Sequence, residues 1–181
     1  MSNHPSTTSR QSLPSLTGGA GGGSCERVLL FPGSFNPFTR GHANLVERAL
    51  QLFDEVVIAV GINEEKADSH SVEARVASIQ NIYKDNVRVR VESYTGLTAD
   101  FACSIGAQAI LRGVRTMKDF EYEMQMADVN RQLTGIDTVC LFAEPTLAAI
   151  SSSLVRELAH FGKDVSEFLP IRDNKLFRDN K

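Results

Sequence analysis

The chain has 181 residues, of which 42% are hydrophobic and 23% charged, and it carries a formal net charge of −3. That length and balance suit one soluble globular domain with a full hydrophobic core. The charge gives no ground for general binding to nucleic acid or to anionic membranes, and no apolar stretch approaches the roughly 18 residues of a bilayer span, so any anion site must be local. Three widely separated cysteines, Cys25, Cys103 and Cys140, form no Cys-x-x-Cys pair or Cys/His cluster of the kind that holds a metal. Cys103 and Cys140 sit in apolar patterns and read as small buried hydrophobes, which suits a reducing cytoplasm.

Residues 1–24 are dominated by Ser, Thr, Pro and Gly and end in Gly18-Gly-Ala-Gly-Gly-Gly-Ser24. Such a segment cannot bury enough apolar surface to offset its ordering entropy, and it lacks the apolar region of a secretory signal. It reads as a mobile natural extension or an added linker, with residues 25–181 as a single domain.

From Glu26 onward, apolar runs alternate with helical patterns. Val28 to Phe31 has the composition of a buried strand, ended by Pro32 and Gly33. A short loop from Ser34 to Gly41 follows, then a helix over 42–53 with apolar Leu45, Val46, Ala49, Leu50 and Phe53. Strand 55–61 leads through a polar loop, Ile62 to His70, into a helix over 72–83 capped by Ser71. Val87-Arg-Val-Arg-Val91 alternates as a third strand with one wetter face. A helix over 98–105, strand 107–111, helix 119–133, strand 138–142, helix 152–160 and a short helix at about 164–169 complete the chain. This alternation predicts an α/β fold: a doubly wound, five-stranded, mainly parallel sheet. Ligands of such sheets bind beyond the carboxyl ends of the strands, where the strand order reverses.

The candidate chemistry falls at those ends. After the first strand, Ser34-Phe-Asn-Pro-Phe-Thr-Arg-Gly-His42 is a tight loop running into a helix start. Free backbone N–H groups and the positive dipole end there suit an anion, with an imidazole alongside. Gly33 and Gly41 serve the turns or the approach of a phosphate. The loop is neither a P-loop nor a Gly-x-Gly-x-x-Gly fingerprint. Arg112-Gly-Val-Arg115 follows the fourth strand and pairs phosphate-binding guanidinium groups with a close-approach glycine. In Asp119-Phe-Glu-Tyr-Glu123, Asp119 and Glu121 suit a helix N-terminus, whereas Glu123, with Asn130 and Arg131, faces a ligand or a neighbouring subunit. Ile150-Ser-Ser-Ser-Leu-Val-Arg156 sets three hydroxyls at a helix start, one as a cap and all three as a second phosphate cradle. The absence of a Gly-x-Ser-x-Gly elbow argues against a serine hydrolase. Lys66, in Asn63-Glu-Glu-Lys-Ala-Asp68, reads by itself as a solvated lysine.

Thr39-x-Gly41-His42 resembles the Thr/His-x-Gly-His nucleotidyltransferases. Together with Arg112-Gly-Val-Arg115, Asp119-Phe-Glu-Tyr-Glu123, the later Asn130-Arg131 and Ile150-Ser-Ser-Ser153, it resembles the phosphopantetheine adenylyltransferases from about Arg27 to Leu169. The resemblance implies a Rossmann-like nucleotidyltransferase fold and transfer of adenylyl from ATP to 4′-phosphopantetheine with Mg2+, giving dephospho-coenzyme A and pyrophosphate. It implies catalytic roles for His42, Lys66 and Arg112. ATP would contact Ser34, Phe35, His42, Gly113, Val114, Arg115, Glu123 and Leu147, Ala148, Ala149, Ile150, Ser151, Ser152 and Ser153. Phosphopantetheine would contact Ser34, Lys66, Thr98 and Arg112. The family is typically a homohexamer, and coenzyme A is a candidate feedback ligand. Two departures stand out: Asn36 replaces the usual Asp, and Leu147-Ala-Ala149 replaces a segment that often carries an aromatic residue. The rival readings are adenylylation of nicotinate mononucleotide, cytidylyl transfer to a small phosphate ester, and a noncatalytic nucleotide-binding regulator on the same scaffold.

Overall fold

The computed structural model describes residues 26–62 and 71–170. The extension 1–24, Cys25 and Lys66 with most of its loop lie outside the described residues. In chain order the elements are β1 (Val28–Gly33), α1 (Arg40–Ala49), β2 (Glu55–Gly61), α2 (Val72–Tyr83), β3 (Val89–Tyr94) and α3 (Thr98–Ser104). They continue with β4 (Ala109–Val114), α4 (Met117–Thr134), β5 (Asp137–Phe142), α5 (Ser152–His160) and a single 3₁₀ turn at Ser166–Phe168. The five strands form one parallel sheet in the order β3-β2-β1-β4-β5.

The near-continuous apolar runs of β1, β2 and β4 follow from burial on both sheet faces. Alternate side chains leave on opposite faces. Leu29, Phe31, Val56 and Ile58 meet Leu45, Val46 and Ala49 of α1 and Ile79 of α2. Leu30, Val57, Ala59 and Ile110 meet Ala102 of α3 on the other face. Each large aliphatic side chain so buried contributes about 1.5–3 kcal/mol relative to exposure. No helix among the described residues is long and apolar enough to cross a membrane.

The chain leaves β1 toward β2 on one side and resumes beside it at β4 on the other, so the strand order reverses between β1 and β4. This is also where the ladder opens. β1 pairs with β2 along its whole length, from Val28↔Glu55 to Gly33↔Val60, but its pairing with β4 stops at Leu30↔Ile110. The pattern-based end of β1 at Phe31 is therefore too early: Pro32 and Gly33 continue the strand. A proline is tolerated in this central strand because N and C=O of one strand residue point to the same side, here toward β4. The β1–β4 ladder has already ended there, and the Pro32 carbonyl instead accepts from Arg112 Nη1 at 3.2 Å.

The same opening corrects β4. The apolar run suggested 107–111, with Arg112 just past the strand, but pairing with β5 continues through Arg112↔Cys140 and Gly113↔Leu141 to Val114↔Phe142. Arg112 and Gly113 thus stand on a strand whose other edge is free to face a ligand. β3 begins two residues later than the alternation suggested, because Asn86 forms a turn that accepts from the N–H groups of Arg88 and Val89 and leaves Val87 fully exposed. Cys103 is exposed rather than buried, since α3 turns Ala99 and Ala102 to the core, and Cys140 is only partly covered.

Candidate active site

A cavity of about 320 Å³ opens where β1 and β4 part. It is lined by Ser34, Phe35 and His42 after β1, by Arg112, Gly113, Arg115 and Glu123 from β4 and α4, and by Leu147, Ile150, Ser151, Ser152 and Ser153 before and within α5. Twelve of the residues expected from sequence therefore meet in one place. Val114 is buried and, like Ala148 and Ala149, lies outside the cavity walls. Thr98 lies outside them too, its hydroxyl 2.8 Å from the Tyr94 hydroxyl. Phe31, Pro32, Leu45 and Ala143 line the cavity without having been singled out, because an apolar strand or helix residue carries no sign of lining a cleft.

His42 is the third residue of α1, and its Nδ1 accepts the Thr39 N–H at 3.0 Å. This is the reciprocal half of a capping box, with imidazole in the place Glu or Gln usually takes. The bond demands a lone pair on Nδ1, so the ring proton sits on Nε2 and that atom is a donor. Phe31, Phe35 and Phe38 surround the ring, with centroids 6.1, 5.2 and 5.4 Å away. Burial, and secondarily the charge of Arg115, push the His42 pKa down to about 4. The imidazole is half-buried, and its inner nitrogen is committed to the backbone, which favours the neutral ring. His42 is thus a neutral hydrogen-bond donor at physiological pH.

Arg112 and Glu123 form a fork-to-fork pair, Nε to Oε2 and Nη2 to Oε1, both at 2.6 Å. Glu123 is buried on α4, while Arg112 keeps about a third of its side chain exposed. Burial opposes the arginine's charge, but the hydrogen bonds and charge of Glu123 outweigh it and raise its pKa. Glu123 thus fixes the plane of the Arg112 guanidinium, while Nη1 also holds the Pro32 carbonyl. Arg115 donates from Nε to Asp119 Oδ2 at 3.3 Å, and the Arg115 and Thr116 N–H groups reach the same oxygen. Burial works against the Asp119 carboxylate, but these N–H groups and the Arg115 charge hold its pKa below the usual value. Asp119 is therefore the capping-box residue of α4, as its place at a helix start suggested.

The three serines of α5 divide their work. Ser151 is the N-cap and accepts from the Leu154 N–H at 3.1 Å. Ser152 donates to the Pro37 carbonyl at 2.8 Å, and Ser153 accepts from Arg156 Nη2 at 3.3 Å. Arg156 also donates to the Asn36 carbonyl. Asn130 is buried on α4 and Arg131 is exposed beside Asp137. Two glycines are fixed by close packing. A Cβ on Gly33 would lie 2.8 Å from the Phe35 ring, and one on Gly113 would lie 2.5 Å from Leu45 Cδ1.

The chain matches the cytidylyltransferase-like family model over residues 30–158. It is 54% identical over 144 residues to a phosphopantetheine adenylyltransferase from Bacteroides thetaiotaomicron, covering 80% of this chain and 95% of that one. The chain belongs to the phosphopantetheine adenylyltransferases. A relative of the same description from Heliobacterium modesticaldum is 46% identical over 144 residues, with 79% and 86% covered. Among solved structures, a bifunctional NMN adenylyltransferase/ADP ribose pyrophosphatase from Francisella tularensis superposes with a TM-score of 0.61 at 16% identity, over 83% of this chain and 46% of that one. A nicotinate-nucleotide adenylyltransferase-like protein from Vibrio parahaemolyticus superposes at 0.57 with 17% identity, over 84% and 98%. These two likenesses concern the Rossmann-like fold alone. The enzyme is thus a nucleotidyltransferase of coenzyme A synthesis, with its motif residues gathered at the sheet's reversal point.

Proposed function

We propose that the cavity between β1 and β4 transfers adenylyl from ATP to 4′-phosphopantetheine. The observation that carries the reading is the meeting in one cleft of a neutral, N–H-donating His42, the fixed guanidinium of Arg112 and the N-terminus of α5. In the reaction an oxygen of the acceptor phosphate forms a bond to the α-phosphorus of ATP, and the bond from that phosphorus to the bridging oxygen breaks, releasing pyrophosphate. The nucleophile is already anionic, so the protein need only position the partners and stabilise charge. His42 Nε2 and the N–H groups at the start of α1 stabilise charge on the α-phosphate. Arg112, its plane set by Glu123, orients the acceptor phosphate together with Lys66. Ser34, Phe35, Gly113 to Arg115 and Leu147 to Ser153 bind ATP, the last segment through the α5 N-terminus and its hydroxyls. Thr98, hydrogen-bonded to Tyr94 at the far end of β3, belongs to the pantetheine arm.

Among the described residues, the two carboxylates that line the cleft, Asp119 and Glu123, are engaged by arginine. Mg2+ therefore fits here as the ion of the ATP phosphates rather than of a protein cage, and it would supply neutralisation of their charge. A homohexamer is part of the same reading, supported by the apolar side chains that α4 leaves exposed. The test is pyrophosphate release from ATP and magnesium with 4′-phosphopantetheine, nicotinate mononucleotide or no acceptor. Release with phosphopantetheine alone is expected. Release with the mononucleotide moves the acceptor assignment, and ATP binding without release in any arm replaces the reading with that of a regulator.

A further inference from the structure

The carbonyl oxygens at the end of β1 and in the loop that leads to α1 are held from several sides. Within six residues, four carbonyls are taken by side chains from three other elements. Pro32 accepts from Arg112 of β4 and Ser34 from Arg75 of α2, at 3.2 and 2.5 Å. Asn36 accepts from Arg156 of α5, and Pro37 from Ser152 of α5 at 2.8 Å. Three of the four donors are guanidinium groups, whose charge-assisted bonds are about twice as strong as neutral ones. Between the held carbonyls, Phe35 adopts a positive φ of 46°, a left-handed conformation that a bulky L residue does not take without support.

Arg75 stands out among these donors. It lies on the second turn of α2, is only 4% exposed, and is absent from the cavity walls. A buried guanidinium is costly unless it has partners worth the desolvation. Among its partners is the carbonyl of Ser34, the residue that opens the cleft loop. A carbonyl facing the cleft would repel a phosphate. A carbonyl tied outward to a cation turns its peptide so that the following N–H, that of Phe35, is held the other way.

We propose that Arg75 is a positioning residue: by holding the Ser34 carbonyl it fixes the Ser34–Phe35 peptide and keeps the Phe35 N–H aimed at the phosphates, while Arg156 anchors the loop further along at the Asn36 carbonyl, whose peptide with Pro37 has no N–H of its own. The inference rests on the adenylyl-transfer reading of the cleft and adds residues that do not touch the reacting atoms.

The test compares Arg75→Met, Arg75→Lys, Arg156→Met and, as a matched control, Arg88→Met. Arg88 holds the carbonyls of Leu50, Phe53 and Asp54 at the opposite end of the sheet, so it clamps backbone without any relation to the cleft. Thermal midpoint, kcat and KM for ATP are measured on each folded preparation. Arg75→Met is expected to lower kcat by about tenfold or more, the order seen when a preorganised donor is weakened. Arg75→Lys is expected to recover part of that loss, and Arg88→Met to lower the midpoint at an unchanged kcat. Wild-type kcat in folded Arg75→Met overturns the proposal, as does an equal kcat loss in Arg88→Met. If Arg75→Met does not fold, Arg75→Lys and Arg156→Met decide, and wild-type kcat in both overturns it. An inactive wild-type protein would instead strike at the adenylyl-transfer reading, so the two failures are distinct.

Discussion

At the scale of single residues, His42 is specified twice over, by its place on the helix and by its protonation. The Thr39 N–H occupies Nδ1, so protonating the ring costs a backbone hydrogen bond as well as the desolvation of a cation among three phenyl rings. His42→Ala removes the Nε2 donor and is expected to lower kcat by about 10²–10³. Near-normal turnover in pyrophosphate release would remove His42 from the mechanism. The lowered pKa has a second consequence. The unfolded chain takes up the His42 proton at about 6.5 and the folded chain only at about 4, so the unfolded state binds more protons in between. The contribution of His42 to stability is therefore present above pH 6.5 and is lost as pH falls toward about 4. NMR titration of the His42 ring is the direct check. Its signals should stay at their neutral positions between pH 8 and 5, and a midpoint near 6.5 would refute the assignment.

At the scale of elements, the cleft depends on α1 lying close against β4. Gly113 makes this possible, because a Cβ there would meet Leu45 Cδ1 at 2.5 Å and α1 would have to back away from the strand that carries Arg112. Gly113→Ala is expected to destabilise the protein by about 1–3 kcal/mol, the range for overpacking a well-filled core. Adding Leu45→Ala should relieve the clash, so the double variant should melt above the sum of the two single losses; strict additivity would show that the contact does not govern the spacing. The elements also show what was legible in the sequence. The helix α2 was readable to the residue, because Ser71 caps it visibly and the apolar spacing is regular. The ends of β1 and β4 were not. Pro32 and Arg112 look like strand terminators when each strand is read alone, and they become strand residues only because β1 keeps β2, and β4 keeps β5, after the two have parted. Partnership between strands is not written in either strand's own pattern. Arg75 was invisible for a related reason, since an arginine on a helix is ordinarily solvated, and neither its burial nor its bond to the distant Ser34 carbonyl is written in the pattern of α2.

At the scale of the molecule, the alternation of strands and helices specified the sheet class, and the motifs fell at one edge because successive parallel strands share their carboxyl ends. What a single chain leaves unexplained is the outer face of α4. Tyr122, Met126, Val129 and Leu133 recur at i, i+4, i+7 and i+11 and are all exposed. Such spacing makes one continuous stripe, and a helix within a globular chain normally turns such a stripe inward. Here the helix instead turns Glu123 and Asn130 inward, Glu123 to hold Arg112, so its polar side serves the site and its apolar side is left outward. An exposed stripe of this kind marks an interface. The expected occupant is a second copy of the chain, in the hexamer that family membership suggests. Light scattering on the purified protein should then give six times the 19.8 kDa chain mass. Val129→Asp, placed mid-stripe and away from Glu123, should drive that mass down toward one chain, because a buried unpaired carboxylate opposes association more strongly than any exposed salt bridge favours it. A wild-type mass of one chain, or a hexamer unmoved by Val129→Asp, would mean that the stripe serves another purpose. Loss of assembly together with loss of turnover would show that α4 needs its neighbours to hold Glu123, and through it Arg112, in place.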